Sequence, residues 1–168
     1  MRWLALLAAA LLAACYPELD WREFVWPDGK FAVLFPGKPA LESRDIAFAG
    51  STLRMDMLSV QVSGMAFGVG YADLPASADP ARAIAEGRDA LLRNIGGRTT
   101  VERAVELPGA RGLEFEAEGA AQEVKMRLAA RVLVGSARYY QVVFIGRAER
   151  AGAVDAGLFL NSFRVLPP

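Results

Sequence analysis

Apolar residues recur at every second position through most of the chain. Phe31, Val33 and Phe35 alternate with smaller residues, and Leu113, Phe115 and Ala117 alternate with Glu114, Glu116 and Glu118. Val124, Met126, Leu128, Ala130, Val132 and Val134 keep the same beat over a longer stretch. A period of two is that of a strand with one buried face. The pattern predicts strands over 21–26, 31–35, 41–48, 53–62, 65–71, 99–107, 111–118, 124–134 and 139–145, with a closing strand over 163–166. Tyr139 to Ile145 is apolar on both faces, as in a central strand covered on each side. Pro27-Asp28-Gly29-Lys30, Pro36-Gly37-Lys38-Pro39, Pro108-Gly109 and Gly135-Ser136 are turns, built from residues that preset φ or accept tight positions. Gly64, Gly68 and Gly70 point to a bend, a bulge or a close packing contact.

One stretch switches to the helical period. Asp79 supplies a cap and Pro80 suits the first helical position. Ile84, Leu91, Leu92 and Ile95 then share a face, with Ala81 and Arg88 beside it, until Gly96-Gly97 ends the helix. Gly87 inside it costs about 1 kcal/mol against Ala. A short second helix is expected over 151–160. Connections of hairpin length make the sheet antiparallel and the class α+β, a twisted sheet of about six to eight strands covered by helices.

The N-terminus follows another grammar. Met1-Arg2 precedes an apolar run from Trp3 to Ala14, the arrangement of an export signal. At about 1.5 Å per residue the run spans roughly 18 Å, short of the ~30 Å hydrocarbon core, so a spanning helix is the poorer reading. Leu12-Ala13-Ala14-Cys15 resembles the lipobox of bacterial lipoproteins. That resemblance implies removal of residues 1–14, a diacylglyceryl group on the Cys15 thiol and acylation, such as by palmitate, of the new amine. Several acyl chains hold a protein to a bilayer where one holds weakly. Tyr16 follows the Cys rather than Asp, which favours the periplasmic face of the outer membrane of a bacterial cell envelope. Residues 15–20 then form a short tether and 21–168 a single domain. Tyr16 to Asp20, fully extended, reach roughly 17 Å, so the domain stays near the membrane.

Composition narrows the chemistry. Lys+Arg and Asp+Glu each number 19, which argues against a nucleic-acid partner. The chain has no His, the commonest general base and metal ligand, and only 1 Cys, which excludes an internal disulfide or zinc finger. Hydrophobic residues reach 54%, too many for disorder.

Three ordered patterns resemble the PsbP-like superfamily, which includes photosystem extrinsic proteins, Ran-binding Mog-type proteins and bacterial secreted or lipidated proteins. Phe31-Ala32-Val33-Leu34-Phe35-Pro36-Gly37-Lys38-Pro39 is similar to the opening strand and its Pro-Gly-x-Pro stop. Arg138-Tyr139-Tyr140-Gln141-Val142 resembles the penultimate strand, and Phe159-Leu160-Asn161-Ser162-Phe163 the closing Phe-x-x-Ser-Phe. The resemblance implies an αβα sandwich with no shared catalytic apparatus, in proteins that mostly bind or stabilise other proteins. No metal or cofactor site carries over to this chain.

The remaining candidates have structural readings. Glu114, Glu116 and Glu118 could hold Ca²⁺ or do acid–base work, but Glu123, Lys125, Arg127 and Arg131 on the next strand make a cross-strand charge ladder the expected outcome. Ser162 lacks a His, and Lys30, Lys38 and Lys125 form no Ser-x-x-Lys with it, so a structural hydrogen bond is expected. Gly64 to Gly70 carries no Lys-Ser/Thr and no following helix, unlike a phosphate loop. Tyr16, Trp21, Phe24 and Trp26 are expected to pack the first hairpin into the core, with a membrane-resting patch as the other reading. Tyr139 and Tyr140 point to opposite faces, so only one is expected deep in the core. The sequence thus describes a membrane-anchored, non-enzymatic binding or assembly module with a protein partner, or else a carrier of a hydrophobic ligand such as lipid.

Overall fold

The strands form two sheets in a computed structural model, which describes residues 19–48, 50–152 and 154–167. The Cys15 and Tyr16 assignments lie outside the described residues. The elements run β1 (Arg22–Trp26), β2 (Phe31–Phe35), β3 (Ala40–Phe48), β4 (Ser51–Val62), β5 (Met65–Asp73), α1 (Pro80–Asn94), β6 (Arg98–Leu107), β7 (Ala110–Ala121), β8 (Val124–Gly135), β9 (Arg138–Arg147), α2 (Ala148–Ala151), α3 (Ala156–Ser162) and β10 (Arg164–Val165). Seven strands pair in the order β3-β4-β5-β9-β8-β7-β6, and β1-β2-β10 make a separate sheet. Every pairing is antiparallel.

The large sheet is covered differently on its two faces. On one side α1 lies over β7 and β8 and closes a core of Phe115, Ala117, Leu128, Val132 and Tyr139. On the other, the small sheet and α3 cover Phe67, Val69, Leu133, Tyr140 and Phe144. The αβα expectation is therefore met on one side only. The second outer layer is chiefly a three-stranded sheet, because β2 pairs with β1 and β10 instead of joining the large sheet. Phe31, Ala32, Val33 and Phe35 are all fully buried, so β2 has two covered faces where the alternation suggested one. The expected helix over 151–160 divides into α2 and α3.

Helix α1 begins and ends where its residues dictate. The Asp79 carboxylate accepts from the Ala81 amide at 2.9 Å, and Pro80 needs no donor at the first turn. Gly96 takes φ of +52°, and the Gly97 amide turns back to the Leu92 carbonyl at 2.9 Å. The buried stripe is Ala83, Gly87, Leu91 and Ile95, with Ile84 and Leu92 flanking it. Its centre holds small residues, which lets the helix axis approach the sheet closely.

Ser162 performs the structural task. Its hydroxyl donates to the Phe159 carbonyl at 2.7 Å and accepts from the Leu34 amide at 2.9 Å, locking α3 to β2. Ser162→Ala leaves that part-buried amide without its acceptor and is expected to cost about 1–2 kcal/mol, readable as a lower urea midpoint with an unchanged slope. Trp21, Phe24 and Trp26 pack against the core as expected. Trp21 meets Phe67 edge-on at 5.5 Å, and the Trp26 indole donates to the Tyr71 hydroxyl at 3.1 Å.

Candidate functional site

Among the described residues, the candidate sites include a charge network on β6–β7–β8, a cleft at one end of the sheets and a groove beside α1.

The network contains the expected ladder. Glu114 stands opposite Arg131 and Glu118 opposite Arg127 in the β7–β8 register. The Arg127 guanidinium lies 3.6 Å from Glu116. Glu114 receives bonds from Arg103 on one side and Arg131 on the other. One rung departs from an exposed ladder, since Arg131 is only 4% exposed. Its guanidinium also donates to the Leu160 carbonyl at 2.7 Å and to the Asn161 side chain. A cation thus meets the last carbonyls of α3, where the helix end favours positive charge. The position on a polar strand face could not show this, because the covering helix comes from a distant part of the sequence.

Burial pushes the Glu114 carboxyl up, but the bonds from Arg103 and Arg131 outweigh it and hold it below its ordinary value of 4.5. A carboxyl lowered in the folded state adds stability above its unfolded pKa and loses it as pH falls through the folded value. The advantage of the native protein over Glu114→Gln is therefore expected to be largest near neutral pH and to shrink below about pH 4.5. Urea midpoints at pH 7 and pH 3.5 measure this, and an equal gap at both would contradict it.

The end cleft, about 430 Å³, lies where the small sheet meets the β8–β9 hairpin. Lys30, Asp73, Arg138 and Tyr140 line it. Arg138 donates to Asp73 at 2.7 Å and to the Asp28 carbonyl, and sits 5.5 Å from the Tyr71 ring centre. These bonds commit the guanidinium to joining the two sheets. Tyr140 is 2% exposed and Tyr139 is fully buried, which corrects the expectation that only one lies deep. Both faces of β9 are covered, one by the small sheet and one by α1. Burial pushes both phenols up.

The groove is the open part of the α1 face. That helix covers β7 and β8 and packs with Phe48, Leu53, Met55 and Ala72 toward one end of β3, β4 and β5, but leaves Met57 and Ser59 part-exposed farther along. Met57 and Ser59 of β4 stand opposite Gly70 and Gly68 of β5, and Gln141 of β9 stands opposite Gly70 on the other side. A Cβ on Gly70 would press on the Gln141 side chain, and one on Gly68 would lie 3.3 Å from the Met57 sulfur. The two glycines therefore sink the sheet surface between these walls. The hollow measures about 180 Å³ and runs to Leu91 and Asn94 of α1. Arg44 of the edge strand β3 marks its rim. Of the bend, bulge or close contact expected at Gly64, Gly68 and Gly70, the last two provide the close contact. The contribution of Met57, Gln141 and Asn94 was not legible in the sequence, because no motif joins residues brought together by strand register.

Among the described residues, no three His, Cys, Asp or Glu side chains gather as a metal site. No helix among them is long and apolar enough to cross a membrane.

This architecture is a PsbP-like fold. The solution structure of cyanobacterial PsbP (CyanoP) from Synechocystis sp. PCC 6803 is similar, with a TM-score of 0.52 and 12% sequence identity over 86% of this chain and 92% of that chain. No family model matches the chain, and no curated protein does.

Proposed function

We propose that this chain is a membrane-anchored, non-enzymatic binding or assembly module of the bacterial cell envelope. Cys15 carries the lipid, residues 1–14 are removed, and the domain works at the periplasmic face of the outer membrane. Its partner is a protein that places an apolar side chain in the groove between Met57 and Gln141. The size of that groove carries the reading. At about 180 Å³ it falls well below the roughly 300–1,000 Å³ of small-molecule pockets and suits one or two side chains. A carrier of a hydrophobic ligand, the alternative, would have to use the end cleft of about 430 Å³, which Lys30, Asp73 and Arg138 line with charge and where Arg138 is already bonded to Asp73 and the Asp28 carbonyl. The adjoining β3 edge is charged, with Glu42, Arg44 and Asp45 exposed, which discourages indiscriminate strand pairing.

A photo-crosslinking residue at Ser59 tests the groove in intact cells. The expected product is a discrete protein adduct that Met57→Lys abolishes while leaving the melting temperature within a few degrees. A lipid adduct, or none, would overturn the protein-binding reading. The anchor is tested separately, because Cys15→Ser is expected to leave the signal uncut and free the chain from its lipid attachment. Normal processing and membrane retention of that variant would refute the lipoprotein reading.

A further inference from the structure

The point where the chain enters the domain defines one end of the molecule. The Asp20 amide bonds to the Pro36 carbonyl at 3.2 Å, and Trp21 packs on Phe67. Strand register places the β4–β5 turn and the start of α2 at the same end, since Val62 pairs with Met65 and Met65 with Gly146. Met126 pairs with Arg147 and Ala121 with Val124, which brings the β7–β8 turn there too. The Ala120 amide bonds to the Ile95 carbonyl at 2.8 Å, adding the C-terminal end of α1.

Charge is distributed unevenly between this end and the other. Lys38, Arg93, Arg98, Lys125 and Arg147 are exposed here, and none carries an ion pair among the described residues. They outnumber Glu118, Glu123, Glu149 and Asp20 at the same end, and Asp20 is already paired with Arg22. At the far end the charges balance, with Asp28, Asp73, Asp79 and Glu106 against Lys30, Arg82, Arg111 and Arg138. Val124, 36% exposed, adds an apolar contact beside Lys125.

We propose that the tethered end, with Lys38, Lys125, Arg147 and Val124 at its surface, docks on anionic lipid headgroups and fixes the orientation of the domain on the membrane. This rests on lipid attachment at Cys15. The tether of roughly 17 Å holds this end close to the bilayer, within a few Debye lengths of about 8–10 Å. Each Lys or Arg near an anionic surface shifts the docking equilibrium about fivefold. The far end is kept away, because β8 alone extends 12 residues, or roughly 40 Å at about 3.3 Å each. Docking leaves the groove beside α1 facing sideways, open to a partner on the same membrane.

The test uses the intact lipidated chain purified from membranes and reconstituted on vesicles with and without anionic phospholipid. The only native thiol is that of Cys15, so a fluorophore enters solely at an introduced Gln122→Cys or Ser136→Cys. A headgroup-attached quencher is expected to dim the label at position 122 at least several-fold more than that at 136, on anionic vesicles only. The combined change Lys38→Glu, Arg147→Glu is expected to abolish the difference while the chain still sediments with vesicles. Equal quenching at both positions on a sedimenting chain would overturn the docking and leave the anchor intact. A chain that does not sediment would overturn the anchor and the docking with it.

Discussion

Arg131→Met is expected to cost the domain about 3 kcal/mol, the low end of the range for breaking a buried ion pair. The low end applies because Arg103 still bonds to Glu114 after the change. What is lost is the guanidinium fork, which serves Glu114, the Leu160 carbonyl and the Asn161 side chain at once. Met fills similar volume but leaves three acceptors facing an apolar chain, and a buried unsatisfied acceptor is what makes such substitutions expensive. For a domain of this size the melting temperature should fall by roughly 6–12 °C. Arg131→Lys should recover little, since a single ammonium cannot reproduce a planar fork aimed at three oxygens. Replacing both Arg131 and Glu114 with apolar residues should cost less than the sum of the two single changes, because neither charge is then left alone. Differential scanning calorimetry of these variants and of the single Glu114 change decides it. A loss below about 1 kcal/mol for Arg131→Met would mean the pair behaves as an exposed one.

The same arginine shows where sequence patterning stops. The alternation in β7 and β8 correctly assigned Glu114 and Arg131 to one face and Phe115 and Val132 to the other. A period of two reports which residues share a face, and it says nothing about what covers that face. Here α3, some 30 residues later in the chain, closes over Arg131. The same limit explains Tyr139 and Tyr140, placed correctly on opposite faces and then both buried by different layers. It also explains the second sheet. The β1–β2 hairpin is plain from its turn residues, but whether a hairpin joins an existing sheet or lies across it depends on edges that are distant in sequence. Local chemistry fared better, because a cap or a turn is decided within a few residues. Asp79, Pro80 and Gly96 bounded α1 as expected, and Ser162 found local and distant partners together. The groove was least legible. Gly68 and Gly70 pointed to a bend, a bulge or a close contact without deciding among them, and their counterparts Met57 and Gln141 become neighbours only through strand register.

Gly87→Ala sets local propensity against tertiary packing, and packing is expected to win. On propensity alone Ala should gain about 1 kcal/mol in the interior of α1. A Cβ at that position, however, would overlap the Tyr139 hydroxyl and come within 2.9 Å of its Cζ and 3.0 Å of Val132 Cγ1. Tyr139 has little freedom to yield. It is fully buried, its ring centre lies 4.6 Å from that of Phe48, and its hydroxyl bonds to Gln141 at 3.3 Å. Overpacking a dense core costs about 1–3 kcal/mol. An overlap with a fully buried ring puts the cost at the upper end of that range, so the net expectation after the propensity gain is a loss of about 2 kcal/mol, or a melting temperature lower by roughly 4–8 °C. Adding Tyr139→Phe removes the atom that overlaps most but leaves the ring, so the double variant should recover about 1 kcal/mol relative to additivity. The substitution should also reach the groove, because Gln141 joins the Tyr139 hydroxyl to the wall over Gly70. Ring displacement that unseats Gln141 would lower crosslinking from Ser59 even at temperatures where the domain stays folded. If Gly87→Ala instead stabilises the protein, α1 has room to lift from the sheet, and the close approach of helix and strand is not what keeps glycine there.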